Sequence, residues 1–252
     1  MRRVVLAGLV VVVIHLPIAT VVGEAEPIVQ VGQIGQAGQA GQAAMRVRFD
    51  FADGALVDVN GRVVLDPKNV EGGALKAITR EQGWAIQFPP VCRDTPESCP
   101  RAILETDPAP FLNPAAKPVK WGAAVRLEPG MTTDGENIIQ KGLSAGTQYK
   151  LQVDGESGQP SCVIAGTVAG VHRIIVATSP SGIADGAWHS LRCERHPELL
   201  RLMMDGGEMA RQTVPASLEI ANDLPLRLGG KGTGPANDQF HGALDDVFVE
   251  IG

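Results

Sequence analysis

From Met45 onward, apolar residues come in short runs, many alternating with polar residues at a period of two. That period puts apolar side chains on one face of an extended strand and polar ones on the other. The stretches MRVRFDF, RVVL, WAIQF, VKWGAAVRL, NIIQ, QYKLQV, SCVIAG, RIIVATS, AWHSLRCER, ELLRLMM, PLRLGG and the closing run DQFHGALDDVFVEIG all read as strands. Gly, Pro, Asp and Asn punctuate them, and Asp205-Gly206-Gly207 is a hairpin signal because positive φ is easy there. Helical periodicity is almost absent. About a dozen strands in roughly 200 residues exceed a seven-stranded immunoglobulin domain and predict an all-β, two-sheet antiparallel jelly-roll sandwich. Trp84, Trp121 and Trp188 each fall inside such a run and are assigned to core packing.

The closing run breaks its own alternation. Phe240 and Leu244 share one parity, whereas Val247, Val249 and Ile251 share the other. The switch falls at Asp245-Asp246 and predicts a β-bulge, one extra residue that re-aims the strand. Carboxylates inside a strand cost desolvation unless something uses them. One of the pair can turn away from the core while the other accepts backbone N–H bonds or ligates a hard cation.

Ahead of the strands lie two different segments. Arg2 and Arg3, the apolar run Val4–Ile14 and the small residues after Pro17 follow the order of a secretory signal peptide, with cleavage after Gly23 or Ala25. An uncleaved N-terminal anchor is the alternative, since Val4 to Val22 is long enough to span a bilayer. Residues 26–44 hold a Gly-Gln-Ala repeat that cannot bury apolar surface and reads as a flexible linker. The expected layout is therefore signal peptide 1–25, linker 26–44 and one β domain over 45–252. The mature chain would be extracellular, without a stable membrane span. All four cysteines fall in that domain. In an exported chain they imply disulfides, three connectivities being possible in principle. The short spacing favours Cys92–Cys99 as a local loop, which leaves Cys162–Cys193 to join distant strands.

Charge and composition narrow the partners. The formal net charge is −6, which argues against nucleic acid or anionic lipid. Aromatics are 4% of the chain, so few rings remain for a sugar cleft once the tryptophans are placed in the core. Phe111, in the proline-rich DPAPFLNP, is the best exposed candidate. Three catalytic motifs fail on context. GLSAG, Gly142 to Gly146, has the nucleophile-elbow spacing, but a strand follows it where a helix is required, so Ser144 is a turn residue. In DGAWHS, His189 and Ser190 are strand neighbours and point to opposite faces, which removes a triad. GGKGTG lacks the spacing of a phosphate loop. Asp245 and Glu250 remain as a carboxylate pair for glycoside hydrolysis, if the bulge brings them to one face.

The order DGAWHSLRCER, LRLMMDGGE, LPLRLGGKG and DQFHGALDDVFV resembles the back half of a LamG-like jelly roll of the concanavalin A-like lectin/glucanase superfamily. FDFADGALVDVNGR is similar to that domain's opening strands. The resemblance implies that the first and last strands lie side by side. It places Asp245 at the family's Asp before the final strand, with Asp50 and Asp53 as neighbours, and implies a structural calcium held by Asp245 and Asp53. The Glu-x-Asp-x-Glu pattern of the glucanases is missing. The expected function is a secreted, non-catalytic module that binds a carbohydrate or an extracellular protein. The alternative is a divergent glycoside hydrolase or lyase on the same fold.

Overall fold

A computed structural model describes residues 44–252, apart from Gln82. The signal segment and the linker, save its last residue, lie outside the described residues. The strands are β1 (Met45–Phe49), β2 (Asp66–Val70), β3 (Lys76–Arg80), β4 (Gly83–Gln87), β5 (Arg101–Pro108), β6 (Val119–Arg126), β7 (Glu136–Gly142) and β8 (Gln148–Asp154). They continue with β9 (Gln159–Val168), β10 (Val171–Thr178), β11 (Trp188–His196), β12 (Leu199–Met204), β13 (Gly207–Thr213), β14 (Pro225–Leu228) and β15 (Ala243–Ile251). RVVL forms no strand; Val64 makes only an isolated bridge to Val57. The alternation overlooked β2, β3, β5 and β13. Three of these are edge strands rich in charged residues, where no apolar face marks the period.

The strands build the two antiparallel sheets of a jelly-roll sandwich. One runs β13-β12-β11-β6-β15-β4-β3, with β1 added to β15, and the other runs β10-β9-β8-β7-β14-β5-β2. First and last strands do lie side by side, from Met45 opposite Ile251 to Phe49 opposite Val247. The inward-facing positions of both sheets fill the space between them. Trp121, Leu191 and Val249 come from one side, and Tyr149, Leu151 and Ile164 from the other, all essentially inaccessible to water. Each such side chain stabilises the fold by about 1.5–3 kcal/mol. Trp121 packs on Tyr149 with ring centroids 5.2 Å apart.

Both expected disulfides are present, Cys92–Cys99 and Cys162–Cys193. The second ties β9 to β11 across the two sheets, its Cα atoms 5.6 Å apart and its loop spanning 31 residues. Closing a loop of that length removes denatured-state entropy worth about 3–4 kcal/mol. GLSAG is a hairpin turn between β7 and β8, with Gly142 opposite Gln148 and Ser144 exposed. The β12–β13 hairpin turns at Asp205 (φ 51°) and Gly206 (φ 83°).

Candidate binding site at the Asp245 bulge

The predicted bulge in β15 is where the parity demanded it. Pairing with β6 runs from Ile251 opposite Val119 to Phe248 opposite Gly122, then slips before Asp245 meets Ala124. Asp246 takes up the extra residue with a left-handed φ of 49°. Gly122 is required here: a Cβ would lie 2.2 Å from the Leu191 carbonyl and 3.0 Å from the Phe248 ring. The slip restores Val247, Val249 and Ile251 to the core and sends both acids to the outer face of the sheet.

There the acids meet arginines. Arg80 at the end of β3 donates to Asp245 Oδ2 at 2.6 Å and to Asp246 Oδ2 at 3.2 Å. Arg48 of β1 donates to Asp246 Oδ1. The backbone N–H of Asp246 donates to Asp245 Oδ1 at 2.6 Å. Arg80 also lies over the Trp188 ring, 4.6 Å from its centroid, and Arg126 stands 5.6 Å from the same ring. Burial works against both members of the Arg80–Asp245 pair. At Asp245 it outweighs the guanidinium and raises the carboxyl above its ordinary range, whereas at Arg80 the acids prevail and its pKa rises. Half-buried ion pairs behave this way when desolvation consumes most of the Coulomb gain.

Around these residues opens a cavity of about 400 Å³, lined by Asp50, Asp53, Arg80, Glu81, Trp84, Asp245 and Asp246 among others. Asp50 and Asp53 reach it from the segment after β1, where Ala52–Gly54 forms a 3₁₀ turn. Glu81 comes from the β3–β4 turn. Asp50 accepts the Ala52 N–H at 3.2 Å, and Asp53 has no hydrogen-bond or ion-pair partner among the described residues. Trp84 is half-buried, packed on the edge of the core and facing the cavity. Asp50, Asp53 and Asp245 thus line the same cavity.

A family model described as the concanavalin A-like lectin/glucanases superfamily matches residues 113–250, more than half of the chain. The chain belongs to that superfamily. Solved structures agree on the jelly roll. Domain 4 of the extracellular arabinanase AbnA from Geobacillus stearothermophilus, solved with arabinotriose, is similar with a TM-score of 0.57 at 14% identity, over 83% of this chain and 93% of that one. The binding domain of Paraclostridial Mosquitocidal Protein 1 is similar with a TM-score of 0.57 at 11% identity, over 81% of this chain and 48% of that one. The binding domain of botulinum neurotoxin DC, solved with SialylT, gives 0.52 at 8% identity over 81% and 47%. The chain therefore spans about half the length of these toxin domains. No curated protein matches it.

For this superfamily member, the expected calcium does not fit the donor set. Calcium takes six to eight oxygens, but Arg80 and Arg48 already neutralise Asp245 and Asp246. Among the described residues no three His, Cys, Asp or Glu side chains converge on one point. Nor do Asp245 and Glu250 form a hydrolytic pair. Five positions along a strand separate them by roughly 15 Å, against the ~5–9.5 Å that glycosidases use. Glu250 instead faces Arg46. Trp121 is a core residue as expected, but Trp188 is not: it is only half-buried, with two guanidinium groups over its ring. Its partners are far away in sequence, so strand membership alone could not place it.

Outside the cavity, the structure brings together Glu136 and His241, which the sequence did not flag, and places His189 and Phe111, which it did. Glu136 at the start of β7 is fully buried, accepting the Thr133 N–H at 2.5 Å and the His241 N–H at 3.2 Å. Burial pushes its carboxyl up to about 8. His241 is also buried and held below the ordinary histidine range by desolvation, with Nδ1 2.8 Å from the Pro89 carbonyl. His189 is set between Asp205 at 2.8 Å and Asp185 at 3.2 Å, with Ser190 tied to Asp205 only through its backbone. Phe111 is exposed as expected and lines a separate small cavity with Met45, Val47, Arg62 and Val63.

Proposed function

We propose that the chain is a secreted, non-catalytic binding module for a carbohydrate, and that the Asp245 cavity holds the ligand. One observation carries this reading. The two bulge acids are engaged by Arg80 and Arg48, while Asp50, Asp53 and Glu81 remain around the same cavity beside the Trp84 ring. Carboxylates accept pairs of sugar hydroxyls, a guanidinium donates to ring and hydroxyl oxygens, and an indole face covers the apolar side of a pyranose or furanose. Groups locked in ion pairs are poorly placed to exchange protons with a substrate. Arabinotriose on an arabinanase domain and SialylT on a toxin binding domain support carbohydrate as the ligand class for this fold. Two disulfides support an oxidising destination.

The test is a glycan-retention screen with the full chain, followed by calorimetry on the best oligosaccharide and an assay for new reducing ends. Asp53→Ala removes an exposed carboxylate that has no partner among the described residues, at the modest cost of placing Ala at a left-handed φ of 53°. Losing a charge-assisted hydrogen bond of about 1.5–3 kcal/mol should weaken binding by roughly ten- to hundredfold. Binding that ignores Asp53→Ala would remove the cavity from the reading. New reducing ends would replace the module by the hydrolase.

A further inference from the structure

We infer that Lys141 and Asn222 form an intramolecular isopeptide bond, an amide cross-link between two side chains that the folded chain makes on itself. Lys141, near the end of β7, lies in one row of the sheet with the core residues Tyr149 and Leu226 and is itself fully buried. Its Nζ donates to Asn222 Oδ1 at 2.8 Å and to the Asn222 carbonyl at 3.0 Å. A buried ammonium ordinarily needs a carboxylate. None pairs with Lys141 among the described residues, and the neighbouring Asp223 is exposed. Desolvation lowers the Lys141 pKa to about 8, so roughly a tenth of the amine is neutral at pH 7. Desolvated lysines serve as nucleophiles for this reason.

The amide is held as firmly as the amine. Asn113 Nδ2 donates to the Asn222 carbonyl at 2.8 Å, and Asn113 Oδ1 accepts the Asn222 N–H at 3.2 Å. Gly142 makes room for the side chain, since a Cβ there would lie 2.6 Å from Asn222 Nδ2 and 2.0 Å from the Thr147 carbonyl. With Nζ 2.8 Å from Oδ1, a C=O bond of about 1.23 Å puts the amide carbon Cγ within ~4 Å of the amine, close to the range of a near-attack pair. The Leu224 N–H donates to Oδ1 at 3.1 Å and is aimed at the charge that gathers there when Nζ attacks. Asn222 Nδ2 donates to the Thr147 carbonyl at 3.0 Å, with Thr147 Oγ1 at 3.3 Å, so the departing nitrogen has a polar seat. The step balances without a co-reactant. Neutral Nζ forms a bond to Cγ, the Cγ–Nδ2 bond breaks, one Nζ proton passes to Nδ2, and ammonia leaves. Burial keeps competing water from the reacting carbon. The bond spans 81 positions and ties β7 to the segment that leads into β14.

Mass spectrometry of the full chain tests this, intact and after denaturation, reduction and digestion. The expected result is a chain lighter by one ammonia than its own sequence requires, and a branched peptide joining Lys141 to Asn222. Lys141→Arg, which keeps the charge, and Asn222→Ala should each restore the full mass and abolish that peptide. The parent chain decides the matter even where a variant fails to fold. Lys141 and Asn222 recovered only in separate linear peptides overturn the inference. So does a bond from Lys141 to Asp223, which would release water, or a mass deficit that persists in both variants.

Discussion

Glu136 gives the sharpest prediction, because a fully buried carboxyl makes stability depend on pH in a direction that can be worked out. Its pKa in the fold is pushed up from 4.5 to about 8 by burial, against the hydrogen bonds from Thr133 and His241. A folded pKa above the unfolded one favours the fold below the unfolded value, and that advantage is lost as pH rises through the folded one. At ~1.36 kcal/mol per pH unit, the whole span amounts to about 5 kcal/mol, some two thirds of it already lost at pH 7. Glu136→Gln removes the ionisation. Its amide oxygen can still accept the Thr133 N–H, but the NH₂ group then faces the His241 N–H, a loss of about 1–3 kcal/mol. The variant should be less stable than the parent near pH 5 and more stable near pH 9. Urea unfolding followed by tryptophan fluorescence at both pH values measures the difference directly, and titration of His189 and His241 cancels in it. Parallel pH profiles for parent and variant would show that Glu136 is ionised in the fold, and that burial does not govern it.

Two further outcomes follow from pairings in the structure. Arg80→Met strands the Asp245 carboxylate on a largely buried site, where the side chains of the pair are 20% and 10% exposed, and should cost about 2–4 kcal/mol. Asp245→Ala should cost less, and the double variant less than the two single costs together, by at least ~1 kcal/mol in a double-mutant cycle; strict additivity would deny the coupling. Replacing Cys162 and Cys193 together by Ala should lower stability by about 3 kcal/mol in chemical unfolding, and a loss under ~1 kcal/mol would mean that the sheets are held by packing alone.

The all-β sandwich was legible because its core strands bury one face and leave the other wet, and that asymmetry writes itself into the chain as a period of two. The bulge was legible for the same reason: the apolar parity of β15 changes at Asp245-Asp246, and only an extra residue lets both halves face the core. The Cys92–Cys99 loop could be read from spacing, since seven positions can close on themselves. What the sequence could not decide was what the exposed faces touch. Arg80 lies 165 positions from Asp245, and nothing local records that their strands will flank one another. Because of that placement the bulge acids end as ion-pair partners, where a calcium site was expected, and Trp188 ends as a cushion for guanidinium groups, where a core residue was expected. Glu136 and His241 likewise look like ordinary surface residues until the folded loops close over them and take away their water. Local periodicity determines which side chains leave solvent, whereas the sheet order decides which charges meet there.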